Sequence, residues 1–134
     1  MMKITLLILI SALLVGCSNS SEEKIPAEYQ NVKLTYDNGA EWDVPEGMQV
    51  FMDSSILLVK QNNGTDITSD LIRQKDSFVS NCTMPGEGHD VLHAWLMPYL
   101  DLLERLENAN SSKERDIVLE DIRYAHELFE EYFK

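Results

Sequence analysis

The stretch His89-Asp90-Val91-Leu92-His93-Ala94-Trp95-Leu96-Met97-Pro98-Tyr99-Leu100-Asp101-Leu102-Leu103-Glu104-Arg105-Leu106-Glu107-Asn108 decides the fold. Leu92, Leu96, Tyr99, Leu100, Leu103 and Leu106 recur at helical spacing. That pattern predicts an amphipathic helix near 89–108 with these side chains facing inward. Pro98 within it predicts a kink or a short break. Asn110-Ser111-Ser112 then forms a turn, and Ser111-Ser112-Lys113-Glu114 has the spacing of a capping box. A second stripe follows in Val118, Leu119, Ile122, Ala125, Phe129, Tyr132 and Phe133, predicting a helix near 112–133. So short a turn makes the two helices antiparallel neighbours.

Two more helices precede this pair. Asp43-Val44-Pro45-Glu46 has an Asp cap and a Pro in the first turn, and Met48, Phe51, Met52, Ser55, Ile56 and Val59 repeat at helical spacing. This predicts a helix near 45–61, ended by Gln61-Asn62-Asn63-Gly64. Ile67, Leu71, Phe78, Val79 and Cys82 predict another near 67–82, with the thiol on its inner face. Pro85, Gly86 and Gly88 make 83–88 a loop. Before the helices, Asn38-Gly39 lies between alternating runs, the strongest short hairpin signal, which predicts a β-hairpin near 32–44. The expected fold is mainly α: an antiparallel four-helix bundle preceded by a β-hairpin, a single domain over 31–134. Residues 17–30, rich in Ser, Asn and Glu, are expected to form a flexible tether.

The N-terminus carries an export signal. Lys3 is the only charge before Glu22, and Ile4 to Val15 is apolar except for Thr5 and Ser11. A run of that length suits a signal-peptide core and is too short to span a bilayer. It ends in Leu14-Val15-Gly16-Cys17, which resembles the lipobox of bacterial lipoproteins. The resemblance implies cleavage after residue 16, a lipid chain on Cys17, and a domain anchored to the cell envelope and facing the periplasm. Ser18 after the Cys is similar to outer-membrane sorting signals of Gram-negative lipoproteins.

Loss of residues 1–16 removes Lys3 alone among charged groups, so the formal charge moves from −12 to −13. Such acidity argues against nucleic acid and bare anionic lipid as partners, because both require a basic face. No particular protein partner is implied. With Cys17 lipidated, Cys82 is the only remaining thiol, so an internal disulfide is excluded.

The three histidines suggest chemistry. At about 100° per residue, His89 and His93 lie roughly 20° and 60° from Leu96, and His126 roughly 40° from Ile122. With the turn centred near residue 110, His126 falls opposite Ala94, level with His93. Cys82 and Met84 precede His89 by one short loop. Cys82, Met84, His89, His93 and His126 are therefore expected to converge at one end of the bundle. An i, i+4 His pair with a third imidazole from a facing helix is a metal-binding geometry. Thiolate and thioether favour soft or borderline ions, copper first and zinc second. The other expectation is that these histidines are core residues of an interaction lipoprotein with no metal site. Met97 lies about 100° off the stripe and is expected to be semi-exposed.

No motif names a reaction. His89-Asp90-Val91-Leu92-His93 resembles the zincin H-E-x-x-H, but Asp replaces Glu and no third-ligand signature follows. Cys82-Thr83-Met84-Pro85-Gly86 resembles the copper loop of azurin-type cupredoxins, but the Cys-to-His and His-to-Met spacings are too long and the chain around it is helical rather than a β-sandwich. There is no C-x-x-C-H, and helices about 10 Å apart leave little room for haem, so neither haem nor enzymatic activity is expected. The block from Cys82 to Pro98, with Asn38-Gly39-Ala40-Glu41-Trp42-Asp43-Val44 before it, is similar to a family of small exported bacterial proteins. That resemblance implies that hairpin and bundle form one domain, and brings no activity or ligand with it.

Overall fold

Four helices carry the structure, a computed structural model that describes residues 24–134. They are α1 (Glu46–Lys60), α2 (Thr68–Ser80), α3 (Gly86–Glu107) and α4 (Ser112–Tyr132). The expected signal peptide, Cys17 and the first part of the expected tether lie outside the described residues. Among the described residues no helix is long and apolar enough to cross a membrane.

In α1 the side chains of Met48, Met52, Ser55, Ile56 and Val59 are buried, so one helical face supplies the core. The start is made by backbone rather than by Asp43: Pro45 is the cap residue, and its carbonyl accepts the Met48 N–H at 2.8 Å. The α3–α4 turn has the expected side-chain cap. The Ser111 hydroxyl accepts the Glu114 N–H at 3.1 Å, and the Glu114 carboxylate accepts the Asn110 N–H at 2.8 Å. α1 packs mainly on α2 and α3 on α4, and further contacts of α1 with α4 and α2 with α3 close the bundle. α3 runs unbroken through Pro98. Ala94, one turn before the ring, is exposed, so the carbonyl that Pro98 leaves without a helical donor belongs to a residue at the surface.

Trp95 is the hub of the core. It is fully buried, stacked on Tyr99 at 4.9 Å and tilted against Phe129 at 4.9 Å, with Phe78 edge-on at 6.3 Å. Its indole N–H donates to the Ala125 carbonyl at 2.8 Å, and its own carbonyl accepts the Tyr29 hydroxyl at 2.8 Å. The Trp95–Ala125 bond fixes the axial register of α3 on α4. It matches the pairing expected from a turn near residue 110.

Two expectations need correction. The hairpin over 32–44 does not form strands. Asn38 and Gly39 do take positive φ (51° and 88°), and Asp37 and Ala40 exchange both backbone hydrogen bonds across the turn. That single bridge goes no further, because the end of the chain takes the backbone of the second arm. The Trp42 N–H donates to the Tyr132 carbonyl, Lys134 N–H to Trp42, and Val44 N–H to Lys134. A lone hairpin is marginal, and here the tertiary partner wins. The tether also stops short of residue 30. Pro26 is fully buried, and Tyr29 is buried in a short 3-10 turn at Ala27–Tyr29, so packing begins at Pro26.

Candidate metal centre

The five proposed donors divide into three environments. α2 ends at Ser80, where Asn81 caps it by donating from its amide to the Ser77 carbonyl at 2.8 Å. Cys82 is therefore outside the helix, half-buried, with its N–H on the Val79 carbonyl at 3.2 Å. The loop turns into α3 at Gly86, whose φ of +65° suits glycine. α3 begins three residues before His89, so His89 lies within its first turn. The Cys82 Sγ lies 3.6 Å from His89 Nδ1, and the His89 and His93 ring centroids are 4.5 Å apart with a tilt of 44°. His89 is half-buried and His93 is exposed. These three form a solvent-facing corner beside the loop between α2 and α3.

Met84 lies against Gly88, beside Trp42. It is buried, and its Cε would be 3.3 Å from a Cβ placed on Gly88, while the Trp42 ring would be 2.9 Å away. Gly88 thus lets Met84 and Trp42 lie directly on the first turn of α3. Met84 is a packing residue, a common use of its flexible thioether.

His126 is separate from both. It is buried in the core, with Nε2 3.2 Å from the Tyr99 hydroxyl. Burial pushes the His126 pKa down to about 3, with the Lys60 charge acting in the same direction. The ring is neutral there and its partner is a phenol, as for an ordinary core histidine.

The convergence fails for reasons of rotation and tilt, since the axial register holds. Trp95, Tyr99 and Leu102 are all fully buried, whereas Leu100 is only half-buried. The inner face of α3 is therefore centred close to Tyr99, and His93 lies about 120° away from it. Helical side chains also lean toward the N-terminus of their own helix. On antiparallel α3 and α4, His93 leans toward Gly86 while His126 leans toward Tyr99. Among the described residues, no three His, Cys, Asp or Glu side chains surround a point that could hold a metal ion. The five-ligand centre is not assembled; the corner offers donors in adjacent pairs.

Tyr99 is the core partner of His126, a pairing that the leucine stripe does not single out. The i, i+4, i+7 row of Trp95, Tyr99 and Leu102 was the signal that could have shown it. A groove of about 500 Å³ between α1 and α2 is bordered by Leu57, Leu58, Ile67, Asp70 and Arg73 and has no His or Cys in its wall. No protein-family model, curated protein or solved structure matches the chain, so its function is argued from its own geometry.

Proposed function

We propose that the protein is a lipid-anchored, periplasm-facing domain of the cell envelope. Its Cys82–His89–His93 corner takes a soft or borderline metal ion, copper ahead of zinc, for sensing, buffering or delivery rather than catalysis. One observation carries the reading: the only thiol beyond the lipobox lies 3.6 Å from an imidazole nitrogen, with a second, exposed imidazole beside it. Softness of the donors favours copper. An exposed corner with an incomplete donor set suits transient loading better than permanent storage. The excess of acid over base, −12 over the chain, draws cations to the surface. Anchoring is supported by the apolar run and by Leu14-Val15-Gly16-Cys17.

The test is metal analysis with copper(I), copper(II) and zinc titration of the full chain in detergent. One ion per chain is expected, lost in a Cys82→Ser, His89→Gln double variant. Binding that the double variant retains would place the ion elsewhere. For the anchor, Cys17→Ser is expected to abolish detergent partitioning and lipoprotein processing; an unchanged mature mass would end that part of the reading.

A second reading is an interaction lipoprotein without a metal. The core placement of His126 and Met84 favours it, since two of the five expected donors serve packing instead. Absence of stoichiometric binding for every ion tested would select this reading.

A further inference from the structure

The contact between Cys82 Sγ and His89 Nδ1, at 3.6 Å, is the width of a metal bite. Bonds of about 2.3 Å to sulfur and 2.0–2.1 Å to nitrogen, drawn to one ion across that gap, meet at roughly 110°, close to the tetrahedral angle. Packing holds the two donors in place. Between them in the chain Met84 is buried and Gly88 lies against the Trp42 ring, so the loop cannot shift without disturbing the core. Two donors are only half of a tetrahedron. Among the described residues, no third His, Cys, Asp or Glu side chain joins them around one point. The pair nevertheless faces solvent, and the short side chains of Asn81, Thr83 and Pro85 and the bare Gly86 beside it are exposed. The missing donors can therefore arrive from another molecule.

We propose that a second copy of this chain supplies the missing half, so that one zinc ion is held between two corners by two Cys82 sulfurs and two His89 nitrogens. This deepens the metal reading above and rests on it. Softness ranks copper first for the donors of a single chain, whereas four donors in a tetrahedron of two sulfurs and two nitrogens are a set for zinc. On binding, each Cys82 thiol gives its proton to solvent, and the two thiolates balance the charge of the ion. The imidazoles ligate as neutral rings, and no electron is transferred. Supply of zinc sets the state. When zinc is scarce two chains share one ion. In excess each corner takes its own ion, with solvent in the remaining positions, which is the one-per-chain state expected above. The charge of −12 on each copy opposes the pairing, and salt near 0.15 M screens that repulsion beyond about 8 Å.

The experiment is sedimentation equilibrium of the full chain in density-matched detergent, with a non-thiol reductant present and zinc raised from none to a large excess. Bound zinc is measured alongside. The protein mass is expected to double as zinc approaches about half an equivalent per chain, to fall back toward one chain in excess, and to return to one chain when a chelator is added. Cys82→Ser and His89→Gln should each abolish the doubling, with far-UV circular dichroism checking the fold; the chelator reversal in the wild type needs no variant. Zinc bound one per chain with no doubling at any ratio overturns the shared site and leaves the metal reading standing. If neither zinc nor copper binds, the metal reading fails and the shared site fails with it. A doubling that survives the chelator, or that Cys82→Ser retains, shows an interface made without the ion and overturns the inference.

Discussion

His126 and His93 are the same residue type on adjacent antiparallel helices, and the fold has put them to opposite uses. His126 is sealed between α1, α3 and α4 with Tyr99 as its partner, and burial has removed its charge near neutral pH. His93 stands in solvent beside His89, with Cys82 beyond. The comparison teaches that amphipathic spacing alone does not show which imidazole serves structure and which is open to chemistry. The deciding term is rotation, and in α3 the rotation is set by the bulkiest side chain. Trp95 loses more by exposure than any Leu, so the helix turns to bury it.

The largest effect should come from breaking that determinant. Trp95→Ala removes the hub that Tyr99, Phe129 and Phe78 pack against and leaves the Ala125 carbonyl without its indole donor. A cost of about 3–5 kcal/mol is expected. Measured by urea denaturation, that is a large part of the stability of an ordinary domain. A loss below about 1 kcal/mol would show that α3 is not oriented by Trp95.

The buried histidine gives the next effect, through pH. Its folded pKa of about 3 lies below the ordinary value of 6.5, so in that interval the unfolded chain binds a proton that the folded chain refuses. Stability is then fully present above about pH 6.5 and is lost as pH falls toward 3, on the order of a few kcal/mol in all. His126→Gln keeps a polar group for Tyr99 and removes the titration. Urea midpoints compared between pH 7 and pH 4, roughly spanning the active range, should fall less steeply in the variant than in the wild type. Parallel curves would mean that His126 is accessible to protons in the folded state. Carboxylates titrating in both proteins cancel in the difference.

What the sequence made legible follows the same division. The stripes of α1 and α4 are regular, and Met48, Met52, Ile56 and Val59 go where spacing places them. The register of α3 on α4 follows from the turn, as the Trp95–Ala125 bond records. For α3 a stripe drawn through Leu100 misses by enough to bring both histidines inside. Leucines at Leu92, Leu96, Leu100, Leu102, Leu103 and Leu106 cover so wide an arc that leucine counting cannot find its centre. The missing strands have a different cause. The Asn38-Gly39 turn is local and is present, but the partner of Trp42 is Tyr132, ninety residues away, and local alternation does not encode it. Likewise the polar composition of 17–30 hides two anchors, Pro26 and Tyr29, whose burial depends on α3. The candidate site was legible as a list of donors; which of them meet depended on where each helix starts, ends and turns.

The smallest effect belongs to the rim, and its smallness is the point. His93→Gln removes an exposed imidazole that makes no core contact, whereas the same substitution at position 126 changes a group with 2 % exposure. Stability should therefore stay within about 0.5 kcal/mol of wild type, the range for surface substitutions away from special features. The measurement is the same denaturation series used for His126→Gln, so the two histidines are compared under one protocol. A loss above about 1.5 kcal/mol at His93 would mean that it is packed in solution. That would turn the α3 face back toward Leu100, undo the rotation set by Trp95, and remove the corner on which the metal reading stands. A silent His93→Gln leaves the ring where a ligand can reach it. The fold then does without the imidazole, and the residue is free for chemistry that stability measurements do not see.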